Sequence, residues 1–224
     1  MCGRFTQQRP TSELAEIFDA ENLAEENGPR FNVAPTDPAS VVVQRDDRRA
    51  ITTYRWGLIP HWAPDAKIAG RTFNARAETV GSLPAFRDAF ARRRCLVPVD
   101  SFYEWRREGS TRQPFRIVRA DGKPLVLAGL WASWRDPSSG ELRRTFTIVT
   151  TTANRQLTDL HDRMPVVVPR EAWAQWLDPR TTDMGELHGL LVPAEGVALD
   201  VYPVVPLVNN VRNDGPELVE RLAV

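Results

Sequence analysis

Cys2 follows the initiator methionine directly, so loss of Met1 leaves a cysteine at the amino terminus. Such a residue carries a thiol and a free α-amine on adjacent carbons. An α-amine titrates near pH ~7.7–8.0, so an appreciable part is neutral and nucleophilic at physiological pH. An aldehyde meeting this 1,2-aminothiol forms an imine, and the thiol then closes a thiazolidine ring. An internal cysteine cannot do this, because its nitrogen is locked in an amide. Glu104 lies in the run Ser101-Phe102-Tyr103-Glu104-Trp105. A carboxylate among aromatic side chains gains a raised pKa if its pocket is apolar, and can then give or take protons near neutrality. An edge-strand charge facing water is the competing reading. His161, in Leu160-His161-Asp162-Arg163-Met164-Pro165, has the side chain best suited to moving protons at neutral pH, though lone histidines are also structural. Asn74 opens Asn74-Ala75-Arg76-Ala77-Glu78. An amide both donates and accepts, which suits holding an amine or a sugar hydroxyl; a turn asparagine beside a surface ion pair is the alternative.

A second group could hold a polyanion. Arg4, Arg76 and Arg163 would form a small positive rim, enough for a few phosphates. Total charge does not reveal such a rim, because 29 Lys and Arg balance 29 Asp and Glu. The neutral sum excludes a wholesale basic coat, not a local site. Lysine occurs only at 67 and 123, so 27 of the 29 cations are arginine. Arginine suits bidentate phosphate contact, although genomic base composition is the simpler explanation of the bias. In Trp56-Gly57-Leu58-Ile59-Pro60-His61-Trp62, Trp56 reads as core and Trp62 as the residue able to stack on an unpaired base.

These residues must be positioned by short elements. Leu14, Ile17 and Phe18 predict a helix over 12–20, and 84–93 predicts another. Residues 40–44 and 50–56 read as a hairpin around Arg45-Asp46-Asp47-Arg48. A long irregular stretch fills 57–79. Strands follow over 95–105, 114–119, 124–134 and 141–152, with Asp121-Gly122 as a hairpin turn. Residues 154–160 read as a helical turn, 164–168 as a strand, 170–177 and 184–191 as helices, and 201–207 as a last strand. Strands and helices do not alternate, which disfavours a doubly wound sheet. The expectation is a single α+β domain over 1–224, a mostly antiparallel, barrel-like β core flanked by short helices.

Six blocks fall in one order: Met1-Cys2-Gly3-Arg4-Phe5, Arg30-Phe31-Asn32-Val33-Ala34-Pro35, Trp56 to Trp62, Phe73-Asn74-Ala75-Arg76-Ala77-Glu78-Thr79, Cys95 to Trp105, and His161-Asp162-Arg163-Met164-Pro165. Together they resemble the SRAP family, the SOS response-associated peptidases, over most of the chain. The resemblance implies the SRAP fold and a protein that shields abasic sites in single-stranded DNA. It implies removal of Met1 with help from the same site, hence the peptidase label. It implies a thiazolidine crosslink between the exposed cysteine and the aldehyde of the ring-opened sugar. The family nucleophile maps to Cys2, and its asparagine, glutamate and histidine to Asn74, Glu104 and His161. Its DNA-backbone arginines map to Arg4, Arg76 and Arg163, and its wedge or stacking residues to Pro35 and Trp62.

No metal or organic cofactor is required by this reading, and three histidines and two distant cysteines show no spacing for a structural zinc site. The partner is single-stranded DNA with an abasic site, with strand–duplex junctions as a further option, and the protein is expected to act as a monomer. Two cysteines make no disulfide framework, the longest mostly apolar stretch, 124–134, is short of the ~20 residues of a membrane helix, and the first ten residues lack a signal-peptide core. These point to a cytoplasmic protein, associated with the nucleoid when on DNA. Two rivals use the same residues differently. An N-terminal-nucleophile amidohydrolase would use Cys2 against a carbonyl with its α-amine as base. A non-catalytic single-strand-binding module would leave Cys2 incidental.

Overall fold

β-Branched and apolar runs broken by tight turns leave this chain little choice but sheets. The computed structural model describes residues 2–26, 28–109 and 111–222. Among the described residues the strands run in chain order: β1 (Phe5–Gln7), β2 (Ala20–Asn22), β3 (Arg30–Val33), β4 (Pro38–Arg45), β5 (Arg48–Trp56), β6 (Asn74–Arg76), β7 (Arg94–Val99), β8 (Ser101–Glu108), β9 (Thr111–Arg119), β10 (Leu125–Arg135), β11 (Leu142–Thr152), β12 (Arg163–Pro165) and β13 (Leu199–Pro203). Short helices flank them: α1 (Thr11–Phe18), α2 (Arg87–Arg92), α3 (Trp173–Leu177) and α4 (Met184–Gly189). No helix among the described residues is long and apolar enough to cross a membrane.

One sheet has the order β13-β9-β8-β1-β3. The other runs β12-β11-β10-β7-β4-β5-β2, with β6 and β5 also pairing β11. Most ladders are antiparallel; β2 with β5, and β5 and β6 with β11, are parallel. The two sheets share a core: Phe5, Phe102 and Ile117 from the first pack with Val41, Val43, Val97, Phe146 and Ile148 from the second. The α+β class with a barrel-like, mostly antiparallel core is therefore as the sequence predicts. A second core lies on the outer face of the larger sheet, where α1, α2 and α3 cover Val42, Leu96, Ala128 and Val149.

Two local expectations fail for physical reasons. Residues 95–105 are not one strand. The chain breaks at Asp100, whose carboxylate accepts the amides of Gln8 and Arg9 at 2.5 and 3.3 Å and so turns the chain from β7 into β8 of the other sheet. Asp121-Gly122 turns the chain without making a hairpin, because β9 pairs with β8 and β13 while β10 pairs with β7 and β11 of the other sheet. Residues 154–160 make the helical turn the sequence predicts: the Thr158 amide donates to the Asn154 carbonyl at 3.1 Å, and the Asn154 side chain accepts from the Gln156 amide at 3.1 Å and donates to the Ala194 carbonyl at 3.0 Å. The irregular stretch 57–79 is real but holds the short strand β6 and a 3-10 turn over 66–70. There Gly57 has φ +113°, and a Cβ on it would meet the Ala69 carbonyl oxygen at 2.7 Å.

Candidate active site

β1 pairs with β8 in the register Phe5↔Phe102 and Thr6↔Ser101. This short ladder, extended by the Tyr103 amide donating to the Arg4 carbonyl at 3.0 Å, lays the start of the chain along the strand that carries Glu104. Alternation along β8 sends Phe102 into the shared core beside Cys2 and Phe5, while Tyr103 and Trp105 pack elsewhere with Tyr202 and Leu218. Glu104 follows Phe102 and is buried. Burial raises its pKa above the usual carboxylate range, opposed by the positive charge that His161 can carry. Burial, and then the nearby Glu104 charge, push the Cys2 thiol well above its ordinary value. Cys2 is therefore a neutral thiol with a carboxyl group as neighbour.

Asn74 comes from the other sheet. β6 runs parallel to β11 with Asn74 opposite Ile148. Ala75 between them faces the core, which leaves Asn74 and Arg76 on the opposite side of the strand. The Asn74 Nδ2 donates to the Cys2 carbonyl at 2.7 Å. Its Oδ1 is buried with no partner among the described residues. His161 closes the turn after 154–160, where its amide donates to the Leu157 carbonyl at 2.9 Å. Its Nδ1 lies 2.9 Å from the Arg163 amide and 2.8 Å from Asp162 Oδ1. One ring nitrogen cannot accept from the first and donate to the second at once. The amide always carries its hydrogen and the Asp162 carboxylate is 87% exposed, so we assign Nδ1 as acceptor and the ring hydrogen to Nε2. Cys2, Asn74, Glu104 and His161 thus converge from two sheets and a loop.

Proximity does not bring access. Cys2 has no exposed surface. The sequence gives no sign of this. Removal of Met1 lies outside the described residues.

The expected cationic rim is uneven. Arg76 is exposed. Arg4 is partly buried, with its guanidinium carbon 6.0 Å from the Trp105 ring centroid and Nη1 donating to the Gly3 carbonyl at 3.0 Å. Burial lowers its pKa, and the Asp37 charge opposes this. Trp105 itself donates to Asn209 Oδ1 at 2.6 Å. Trp105 is thus the platform under Arg4, a role that alternation alone did not disclose. Arg163 differs most from expectation. Its Nη1 and Nη2 donate to the two Glu78 carboxylate oxygens at 2.5 and 2.9 Å, and Nη2 also to the Thr150 carbonyl at 2.7 Å. Its side chain is only 12% exposed, so it is held inside the protein rather than offered to solvent.

Trp62 is 49% exposed and lies between two anchored residues: the Ile59 amide donates to Thr145 Oγ1 at 2.8 Å, and Trp134 Nε1 donates to the Ala63 carbonyl at 2.8 Å. Trp56 is core, as expected. Pro35 precedes Thr36, which has φ +82°, an uncommon conformation for a β-branched residue. The Thr36 amide donates to the Trp56 carbonyl at 2.8 Å, so the loops bearing Pro35 and Trp62 leave from neighbouring strand ends. Cys95, the second cysteine, is buried under Gly129. Among the described residues no group of three or more His, Cys, Asp or Glu could hold a metal ion.

Comparison with known proteins gives the arrangement its context. The family model for SOS response associated peptidase (SRAP) matches residues 1–211. The abasic site processing protein YoqW of Bacillus subtilis (strain 168) is 39% identical over 98% of this chain and 99% of its own. The abasic site processing protein YedK of Escherichia coli (strain K12) is 31% identical over 98% and 99%. The abasic site processing protein HMCES of Gallus gallus is 31% identical over 84% of this chain and 65% of its own. A crystal structure of a protein from Bacteroides thetaiotaomicron superposes with a TM-score of 0.87, at 27% identity over 99% of this chain and all of the other. With the order of its sequence blocks, the barrel-like fold and this match along nearly the whole chain, the protein belongs to the SOS response associated peptidase (SRAP) family.

Proposed function

We propose that this chain processes abasic sites in single-stranded DNA by linking Cys2 to the sugar aldehyde. The observation that carries the reading is the placement of the Cys2 carbonyl on Asn74 Nδ2 at 2.7 Å with the buried Glu104 carboxyl beside the same residue. Relatives that are 31–39% identical across nearly their whole length bear the name abasic site processing protein, which supports the substrate.

The first step is hydrolysis of the Met1–Cys2 peptide bond: water enters, free methionine leaves and the Cys2 α-amine is born. His161 assists opening of the sugar hemiacetal to its aldehyde by donating its Nε2–H to the ring oxygen as that oxygen leaves the anomeric carbon. The amine adds to the aldehyde carbon, and loss of one water leaves an imine. The Cys2 sulfur then adds to the imine carbon, its proton passes to the nitrogen, and the thiazolidine closes. Aminothiol plus aldehyde gives ring plus one water, with no oxidant or reductant. Glu104, whose raised pKa suits proton exchange, handles the protons of imine formation and can protonate the ring for reversal. Asn74 Oδ1, which lacks a partner among the described residues, is the acceptor for the new amine. Holding amine, thiol and aldehyde together supplies most of the advantage.

DNA docks through Arg4 and Arg76, with Trp62 and Pro35 against the bases. Arg163 reaches phosphate only by releasing Glu78. The activity needs no cofactor and is performed by a monomer in the cytoplasm. Incubation with a single-stranded oligonucleotide bearing one abasic site tests the reading: an adduct that survives SDS is expected from the wild type and not from Cys2→Ala. An adduct of equal yield from Cys2→Ala overturns it. Turnover of small amides without DNA would instead favour an N-terminal-nucleophile amidohydrolase.

A further inference from the structure

The two halves of the candidate site lie on opposite edges of one strand. In β11, Thr150 pairs with Arg76 of β6 on one side and with Pro165 of β12 on the other. Asn74 belongs to the first side and His161 leads into the second. Backbone ladders fix each flanking strand to β11, but they do not link the flanking segments to each other.

The Glu78–Arg163 pair makes that link. The guanidinium extends from β12 across the end of β11 and meets Glu78, two residues beyond β6, through two parallel bonds of 2.5 and 2.9 Å. On the way Nη2 shares the Thr150 carbonyl with the Ala77 amide, at 2.7 and 2.8 Å. A two-pronged arginine–carboxylate contact fixes orientation as well as distance. Arg163 is largely shielded from water while Glu78 is half exposed, so the two-pronged geometry rather than burial is what lifts this pair above an ordinary surface contact. Arg163 also supplies, through its own backbone, the N–H that bonds His161 Nδ1 at 2.9 Å. Holding the Arg163 side chain therefore holds the amide that sets the histidine ring. The competing partner of Nδ1 is Asp162 Oδ1 at 2.8 Å. If the Arg163 amide shifts, Nδ1 takes a hydrogen to bond Asp162 and Nε2 loses the one it carries.

We propose that Glu78 and Arg163 are positioning residues: their ion pair spans β11 to hold His161, in the Nε2–H form, in register with Asn74. Neither residue acts on the sugar. The rate consequence rests on the crosslinking reading above, whereas the ring form of His161 does not.

The test compares wild type, Glu78→Gln and Glu78→Asp by two measurements. Long-range nitrogen NMR of the histidine rings, with His161 assigned by His161→Gln, reads which nitrogen carries the hydrogen. Crosslinking to abasic single-stranded DNA over a range of DNA concentrations separates maximal rate from half-saturation. Wild type should show Nε2–H at His161. Glu78→Gln should populate Nδ1–H and lower the maximal rate roughly ten- to hundredfold, as small misplacements of reacting groups do. Its half-saturating DNA concentration should stay near the wild-type value, and Glu78→Asp should recover the wild-type ring form. An unchanged His161 in Glu78→Gln overturns the proposal. So does a shift of half-saturation alone, which would make Arg163 a phosphate ligand. If wild type forms no adduct, the crosslinking reading fails while the NMR result still decides the brace. Should Glu78→Gln not fold, Arg163→Lys carries the same comparison, with a partial gain of Nδ1–H expected and an unaltered ring contradicting it.

Discussion

The side-chain amide of Asn74 donates to the backbone carbonyl of Cys2 at 2.7 Å, joining residues 72 positions apart. This bond fixes the peptide unit just after Cys2 and leaves Asn74 Oδ1 for the amine that the proposed processing would create. Asn74→Ala should cost about 1 kcal/mol in stability, the net value of one such bond, and slow crosslinking far more than that. Chemical denaturation beside adduct kinetics checks both; equal losses in the two would reduce Asn74 to a structural role.

Glu104 makes a signed prediction about pH. Its folded-state pKa is raised by burial, so the native state binds its proton more tightly than the unfolded chain does. Its contribution is fully present below the unfolded carboxylate pKa and fades as pH rises through the raised value. Glu104→Gln should therefore match wild type at acidic pH and exceed it in stability towards neutral pH, while losing crosslinking activity. Melting curves between these limits test it. A variant destabilised equally at every pH would contradict the assignment.

Thr36 holds φ +82° between Pro35 and Asp37. A left-handed conformation costs an L-residue roughly 1–2 kcal/mol, whereas glycine adopts it freely at an entropy cost of about 0.5–1 kcal/mol. Thr36→Gly should raise stability by up to about 1 kcal/mol and loosen the loop that presents Pro35, weakening binding to single-stranded DNA. A fall in stability would show that the threonine side chain matters more than its backbone.

Arg94 offers a control away from the chemistry. It is almost fully buried, and its guanidinium donates to the carbonyls of Phe90, Ala91, Trp176, Asp178 and Thr181. Arg94→Met strands those acceptors and should cost about 3 kcal/mol or more, read as a lower melting temperature with adduct chemistry retained below the melt.

Arg76 is exposed on the same face of β6 as Asn74. If it contacts one phosphate, Arg76→Ala should reduce the slope of log affinity against log salt by about 1. An unaltered slope would remove Arg76 from the interface.

Much of the site was legible because it depends on local pattern. Alternation alone put Glu104 on the face of Phe102, and that face holds Cys2. The blocks around Cys2, Asn74, Glu104 and His161 carried the family resemblance without coordinates. What failed to show was long-range. Arg163 reads as a cation on a rim, because its partner Glu78 is 85 residues away and two strands over. Asp100 reads as one more residue in a strand, because the amides it captures belong to residues 8 and 9. The burial of Cys2 is set by two sheets closing over it, which no property of its neighbours in the chain reports.

The mass of the intact adduct tests the central claim most directly. After incubation with an abasic oligonucleotide, the product should weigh the protein without its initiator methionine plus the oligonucleotide less one water, with the DNA attached at residue 2. An adduct that retains Met1, or one attached elsewhere in the chain, would contradict the account.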